Sequence, residues 1–214
     1  MRVKFCGITR IEDAREAARL GAWAIGLNHL ASSPRYCPPD VAAEIGAAVR
    51  RRLEVVGVFV NPTLEEVVTA AENASLTMIQ LHGGEGPAFC RESARRTGCK
   101  VIKALRVRSA AEVRAAEAYR TDFHLFDAHR PGAAGGTGET FDWELLAERR
   151  SQIPMILAGG LSPDNVAAAI RATHPFAVDV ASGVEAAPGI KDHSRMGELV
   201  ERAIGAPADP SAVA

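Results

Sequence analysis

With 214 residues, 47% of them hydrophobic and 24% charged, the chain can bury one sizeable core and has the balance of a soluble globular protein. A net charge of -1, with the basic residues scattered, gives no electrostatic reason to expect a nucleic acid or an anionic membrane as partner. No apolar run approaches the roughly 20 residues that span a bilayer, and the first residues read as a strand rather than a signal peptide, so a cytoplasmic enzyme is the default.

Short β-rich runs alternate with Ala-, Glu- and Arg-rich stretches of helical period along the chain. The predicted order is strand 3–8, helix 11–20, strand 23–28, helix 39–52, strand 54–60, helix 63–73, strand 77–82 and helix 87–97. It continues with strand 100–106, helix 109–119, strand 122–127, helix 142–150, strand 154–158, helix 163–172, strand 177–181 and helix 193–204. Eight such units predict an α/β single-domain (β/α)8 TIM barrel over residues 1–205, with 206–214 as a flexible tail. A doubly wound open sheet is the alternative, but no Gly-rich dinucleotide turn follows the first strand. Cys6, Cys37, Cys90 and Cys99 lack the paired spacing of a zinc site or a disulfide scaffold, so free thiols and no metal are expected.

Strand residues alternate between faces, so polar residues of one parity should share the barrel lumen. Lys4 and Cys6, Gln80 and His82, Leu125 and Asp127, and Asp179 fall on that parity, whereas Val3, Phe5, Ile79, Leu81, His124, Phe126, Val178 and Val180 fall on the other. His29 is of opposite parity to Asn28 and is not expected to be catalytic. The polar positions gather at the carboxyl ends of the strands, where barrel enzymes build their sites.

Gly-rich turns follow the last three strands, at Gly135-Gly136-Thr137-Gly138, Ala158-Gly159-Gly160-Leu161 and Ala181-Ser182-Gly183. Glycine lets backbone amides approach an anion, and the loops after strands seven and eight are a frequent phosphate site in barrels. One such turn means little, since turns need glycine anyway; three at matching positions point to a phosphorylated ligand held near Gly136, Gly159, Gly160, Ser182 and Gly183. Cys6 is either a base or nucleophile, or a small buried hydrophobe. Lys4 either favours the thiolate or bonds a lumen carboxylate. Asp127 is either a general acid or a loop-capping carboxylate. Arg35 either binds a substrate carboxylate bidentately or is solvent-exposed, and Gln80 and His82 either line the pocket floor or satisfy one another. With Asp179 these three make up the substrate-binding candidates.

Six ordered blocks resemble the phosphoribosylanthranilate isomerase family across nearly the whole chain. They are Lys4-Phe5-Cys6-Gly7-Ile8-Thr9; Val56-Gly57-Val58-Phe59-Val60-Asn61; Gln80-Leu81-His82-Gly83; Gly135-Gly136-Thr137-Gly138 with Phe141-Asp142-Trp143; Ala158-Gly159-Gly160-Leu161 with Pro163-Asp164-Asn165-Val166; and Val178-Asp179-Val180-Ala181-Ser182-Gly183-Val184-Glu185 with Pro188-Gly189 and Lys191-Asp192. The resemblance implies an Amadori rearrangement of N-(5'-phosphoribosyl)anthranilate in tryptophan biosynthesis, without metal or cofactor. It implies Cys6 as general base, Asp127 as general acid, Arg35 on the anthranilate carboxylate, and the backbone near Gly160, Ser182 and Gly183 on the phosphate. A small phosphoribosyl substrate is then the partner, and the chain is a monomer or a homodimer.

The chain departs from the family pattern at Gly26-Leu27-Asn28-His29, where Gly-Phe-x-Phe is usual, and at Ala181, where Ser is more usual. Two other readings compete. A related phosphosugar isomerase would resemble a family with two aspartates as acid and base, which the cysteine at the end of the first strand opposes. A catalytically retired metabolite-binding barrel would need the phosphate loops but neither Cys6 nor Asp127.

Overall fold

The computed structural model describes residues 1–127 and 143–206 and closes the alternating units into a barrel in which eight parallel strands pair in sequence order and the last returns to the first. The strands are β1 (Arg2–Cys6), β2 (Ala24–Asn28), β3 (Glu54–Phe59), β4 (Met78–Leu81), β5 (Lys100–Arg106), β6 (Phe123–Asp127), β7 (Met155–Ala158) and β8 (Ala177–Val180). The helices are α1 (Ile11–Arg19), α2 (Pro39–Val49), α3 (Leu64–Asn73), α4 (Pro87–Thr97), α5 (Ala110–Ala115), α6 (Val166–Thr173) and α7 (His193–Gly205). A short antiparallel hairpin, β9 (Glu185–Ala187) and β10 (Ile190–Lys191), is inserted between β8 and α7.

The period-2 pattern is realised as two cores. One parity fills the lumen with Ala24, Val56, Met78, Ile102, Leu125, Ile156 and Ala177, among others. The opposite parity, including Val3, Phe5, Ile25, Leu27, Ile79, Leu81, Phe126 and Val178, packs outward under the helices. Helix faces match: α1 buries Asp13, Ala14, Ala17 and Ala18, neighbours on one side of a 3.6-residue helix. Helix starts follow capping chemistry. Thr63 Oγ1 accepts from Glu66 N while Glu66 accepts from Thr63 N, closing a capping box on α3. Asp192 accepts from Ser194 N and Arg195 N at the start of α7.

Three elements differ from the sequence expectation. The stretch predicted as a helix over 142–150 is a 3-10 turn at Trp143–Glu148 within the described residues, and the one over 109–119 tightens to 3-10 geometry at Ala116–Ala118. The helix predicted from 163 begins only at Val166, because the Asn165 side chain is spent on the preceding turn, accepting from Ser162 N and donating to Gly160 O. Of the predicted tail, Ala206 is buried against the core and 207–214 lie outside the described residues. Among the described helices none is long and apolar enough to cross a membrane.

Candidate active site

At the carboxyl end of the lumen the apolar filling gives way to a polar layer. Lys4 on β1 is fully buried and donates from Nζ to Asp179 Oδ1 on β8 at 2.9 Å, so this lysine bonds a lumen carboxylate, and its positive charge also favours the ionised form of the neighbouring Cys6. Burial pulls the Lys4 ammonium down, but Asp179 and Cys6 outweigh it and leave the group above its ordinary value. Gly26, paired with Cys6 across β1 and β2, makes room for this contact: a Cβ there would stand 2.9 Å from Cys6 Sγ and 3.1 Å from Lys4 Nζ.

Cys6 is partly exposed at the end of β1, and Cys37, Cys90 and Cys99 are buried, all four as free thiols. Burial pushes the Cys6 thiol up from its usual range, opposed by the ammonium groups of Lys4 and Lys191 and reinforced by Asp179. Burial thus favours the thiol, while two cations within electrostatic reach favour the thiolate.

The opposite wall carries a hydrogen-bonded chain. Gln80 Nε2 lies 3.2 Å from His82 Nδ1, and His82 Nε2 lies 3.3 Å from Asp127 Oδ2 at the end of β6. With the glutamine amide donating, Nδ1 is the acceptor and the ring proton resides on Nε2, pointed at the carboxyl group. Gln80 and His82 thus do satisfy one another, and they also orient Asp127. The carbonyl Oε1 of buried Gln80 has no hydrogen-bond partner among the described residues.

Arg35 is not a solvated arginine. It leans over Gly7 and gives Nε and Nη2 to the two oxygens of Glu185 at 2.8 and 2.7 Å, which raises its already high pKa. Its loop is organised by Asn28, whose side chain donates to Ser33 Oγ and accepts from Leu30 N, while Ser33 Oγ accepts from Arg35 N. The unusual Asn28 is thereby consumed in shaping the loop.

The loops after β7 and β8 meet backbone to backbone. Gly159 and Gly160 have φ of 97° and 65°, in the region that favours glycine. A Cβ on Gly183 would stand 1.9 Å from Leu161 O, so only glycine lets the two loops close to this distance. Ser182 opens the 3-10 turn Ser182–Val184 beside them. The third candidate loop, Gly136 included, lies outside the described residues.

Two buried ion pairs escape sequence reasoning. Lys103 Nζ donates to Glu85 Oε2 and Gly83 O, both at 2.8 Å, and Glu85 also accepts from Asn61 N and Gly83 N, which fixes the turn next to His82. Lys191 pairs with Glu185. The first joins a residue of β5 to the turn after β4, 18 positions away, and the second spans the six residues of the β9–β10 hairpin, so strand parity alone does not pair them; Glu185 and Lys191 are visible only as parts of the last sequence block. Among the described residues no three His, Cys, Asp or Glu side chains gather to hold a metal ion.

The layer brings a thiol, a carboxyl group, paired cations and glycine loops to one mouth, a set suited to proton transfer on an anionic small molecule. Comparison with known proteins agrees. The family described as N-(5'phosphoribosyl)anthranilate (PRA) isomerase matches residues 3–202. The N-(5'-phosphoribosyl)anthranilate isomerase of Geobacter metallireducens is 44% identical over 203 residues, covering 95% of this chain and 98% of that protein. The crystal structure of phosphoribosyl anthranilate isomerase from Thermotoga maritima superposes with a TM-score of 0.87 at 41% identity, covering 96% of this chain and 99% of the other. A further phosphoribosyl anthranilate isomerase structure, solved in complex with reduced 1-(o-carboxyphenylamino)-1-deoxyribulose 5-phosphate, has a TM-score of 0.84 at 39% identity and covers 96% and 99%. By the match to the family over most of its length, and by the fold it shares with these relatives, the chain belongs to the N-(5'-phosphoribosyl)anthranilate isomerase family.

Proposed function

We propose that Cys6 and Asp127 are the base and the acid with which this chain carries out its family's reaction, the aldose–ketose isomerisation of N-(5'-phosphoribosyl)anthranilate to 1-(2-carboxyphenylamino)-1-deoxyribulose 5-phosphate in tryptophan biosynthesis. The observation that carries the reading is the pairing of one proton-transfer group on β1 with another on β6, each with its own partner: Lys4 at the thiol and His82 at the carboxyl group. Asp127 gives a proton to the furanose ring oxygen as the C1–O bond breaks, and the anilino nitrogen lone pair forms the C=N bond of a Schiff base. The Cys6 thiolate then takes the proton from C2, the C2–H electrons form the C1–C2 double bond, and the resulting enolamine tautomerises to the ketone. Protons and electron pairs balance within the substrate, so the scheme calls for no metal or cofactor.

Arg35 takes the anthranilate carboxylate, bidentate geometry being the strength of a guanidinium. The glycine loops at Gly159, Gly160, Ser182 and Gly183, with Gly136, hold the phosphate, and Asp179 acts through Lys4 beneath the thiol. Four free cysteines suit a reducing compartment, and we place the chain in the cytoplasm.

The test follows loss of substrate fluorescence when freshly generated phosphoribosylanthranilate is mixed with the wild type, Cys6→Ser and Asp127→Asn. Each variant should fall by about 10²–10⁴ in kcat while remaining folded. Binding of a phosphosugar analogue without wild-type turnover would replace this reading with that of a metabolite-binding barrel.

A further inference from the structure

Glu185 and Lys191 flank the β9–β10 hairpin, and the scheme above gives neither a task. The hairpin lies across the ends of β1 and β2: Thr9 Oγ1 donates to Gly189 O at 2.5 Å, and a Cβ on Gly189 would stand 3.2 Å from Pro34 O, next to Arg35. From this strap the Lys191 side chain, wholly buried, reaches back into the site. Its Nζ donates to Cys6 O at 2.6 Å, Ala181 O at 3.1 Å and Glu185 Oε1 at 2.9 Å. Glu185 is the same carboxylate that holds Arg35.

Cys6 thus sits between two buried ammonium groups, Lys4 from the strand and Lys191 from the hairpin. Among the described residues the charged groups facing it are Lys4 on β1, Asp179 on β8, Lys191 on β10 and Arg35 in the loop after β2, with Glu185 on β9 behind the last two. Three cations against two carboxylates leave one positive charge unmatched when Cys6 is a thiol, and ionisation of the thiol balances it. Burial lowers Lys191 from its ordinary value, which Glu185 and Cys6 oppose, so this cation depends on its anionic neighbours.

We propose that Lys191 is a positioning residue for Cys6, fixing its carbonyl and supplying the charge that a thiolate there needs, and that Glu185 sets how much of that charge reaches the sulfur by dividing itself between Lys191 and Arg35. The proposal rests on the reading of Cys6 as the base. It turns the hairpin into a device that ties the carboxylate-binding arginine to the ionisation of the thiol.

The two side chains must then act in opposite directions, which loosened packing cannot imitate. The pH dependence of Cys6 alkylation by iodoacetamide is measured on the wild type, Lys191→Gln, Lys191→Met and Glu185→Gln, with Cys6→Ser as the blank for the other three cysteines. Both lysine variants should raise the midpoint by about one pH unit or more, a tenfold loss of thiolate at a given pH, and Glu185→Gln should lower it. Lys191→Gln keeps an N–H donor for Cys6 O, so it still reports on charge if Lys191→Met fails to fold. The ascending limb of kcat against pH should move with the alkylation midpoint. Midpoints that stay at the wild-type value, or that shift the same way in the lysine and glutamate variants, overturn the proposal. Opposite midpoint shifts with an unmoved rate profile would uphold the electrostatic coupling and overturn Cys6 as the base.

Discussion

At the amino-terminal end of the barrel Trp23, Phe123 and Phe176 meet with ring centroids 5.1 to 5.6 Å apart, and the Arg2 guanidinium lies 4.2 Å over the Phe176 ring. At the carboxyl-terminal end the same lumen holds Lys4, Cys6, Asp179, Gln80, His82 and Asp127, with a glutamine carbonyl that has no hydrogen-bond partner among the described residues. The plug is apolar surface removed from water and rings in favourable edge-on contact, which stabilises whatever lies above it. The polar layer desolvates charged groups and offsets part of that cost through ion pairs, a poor way to gain stability but one that holds titratable side chains in fixed positions. One strand face therefore changes task along its length, and the two ends should fail differently when cut.

The largest expected effects form a crossed pair. Phe123→Ala removes a nearly buried ring from the plug and should cost about 3–5 kcal/mol of unfolding free energy in a denaturant titration, with kcat close to wild type at a temperature where the variant is folded. Cys6→Ser should do the reverse, losing the rate given above while the unfolding midpoint stays near wild type. If Phe123→Ala crippled kcat in the folded state, the two ends would be coupled rather than divided in task.

A smaller effect is expected inside the polar layer. His82→Phe keeps a ring of similar size but withdraws the N–H directed at Asp127 Oδ2. A hydrogen bond to a charged or partly charged group contributes about 1.5–3 kcal/mol, so kcat should fall by roughly 10–150-fold. Less than a twofold change would mean that Asp127 is oriented without the histidine.

What the sequence made legible follows this division. Cys6, Gln80, Asp127 and Asp179 lie on regular strands and His82 just beyond the end of β4, so period-2 counting carries them to the lumen. Arg35, Glu185, Glu85 and Lys191 lie on loops or on strands too short to have a period, and their partnerships join residues up to 185 apart, as between Lys191 and Cys6. Their positions depend on chain closure and on local side-chain chemistry such as the Asn28 and Asn165 turns. The same limit explains the elements: the strands were readable, whereas the helix over 142–150 tightens at Trp143–Glu148 and the β9–β10 hairpin leaves no pattern. The resemblance to a family brought Glu185 and Lys191 into view as letters, without the ion pairs that give them a use.

The smallest expected effect tests whether the division follows height in the barrel or the face of the strand. His29 stands just beyond the end of β2, level with the site, but on the outward parity; it stacks on Phe59 with centroids 4.8 Å apart, and its buried Nε2 has no hydrogen-bond partner among the described residues. Burial lowers it from 6.5 to about 4. An unfolded chain binds a proton at this histidine as pH falls through 6.5, and the folded chain resists until about 4, so the unfolded state gains protons first and stability must fall across that window. At pH 5.5 the loss is on the order of 1 kcal/mol relative to pH 7.5. Denaturant titrations at the two pH values should show this drop in the wild type and a smaller one in His29→Phe, which keeps the stacked ring and cannot titrate. At pH 7.5 the variant should turn over substrate as the wild type does. A drop in stability with no loss of rate would assign the outward face to stability even beside the mouth, and confine the chemistry to the lumen parity; an equal drop in both proteins would mean that His29 takes up its proton in the fold as readily as in the open chain.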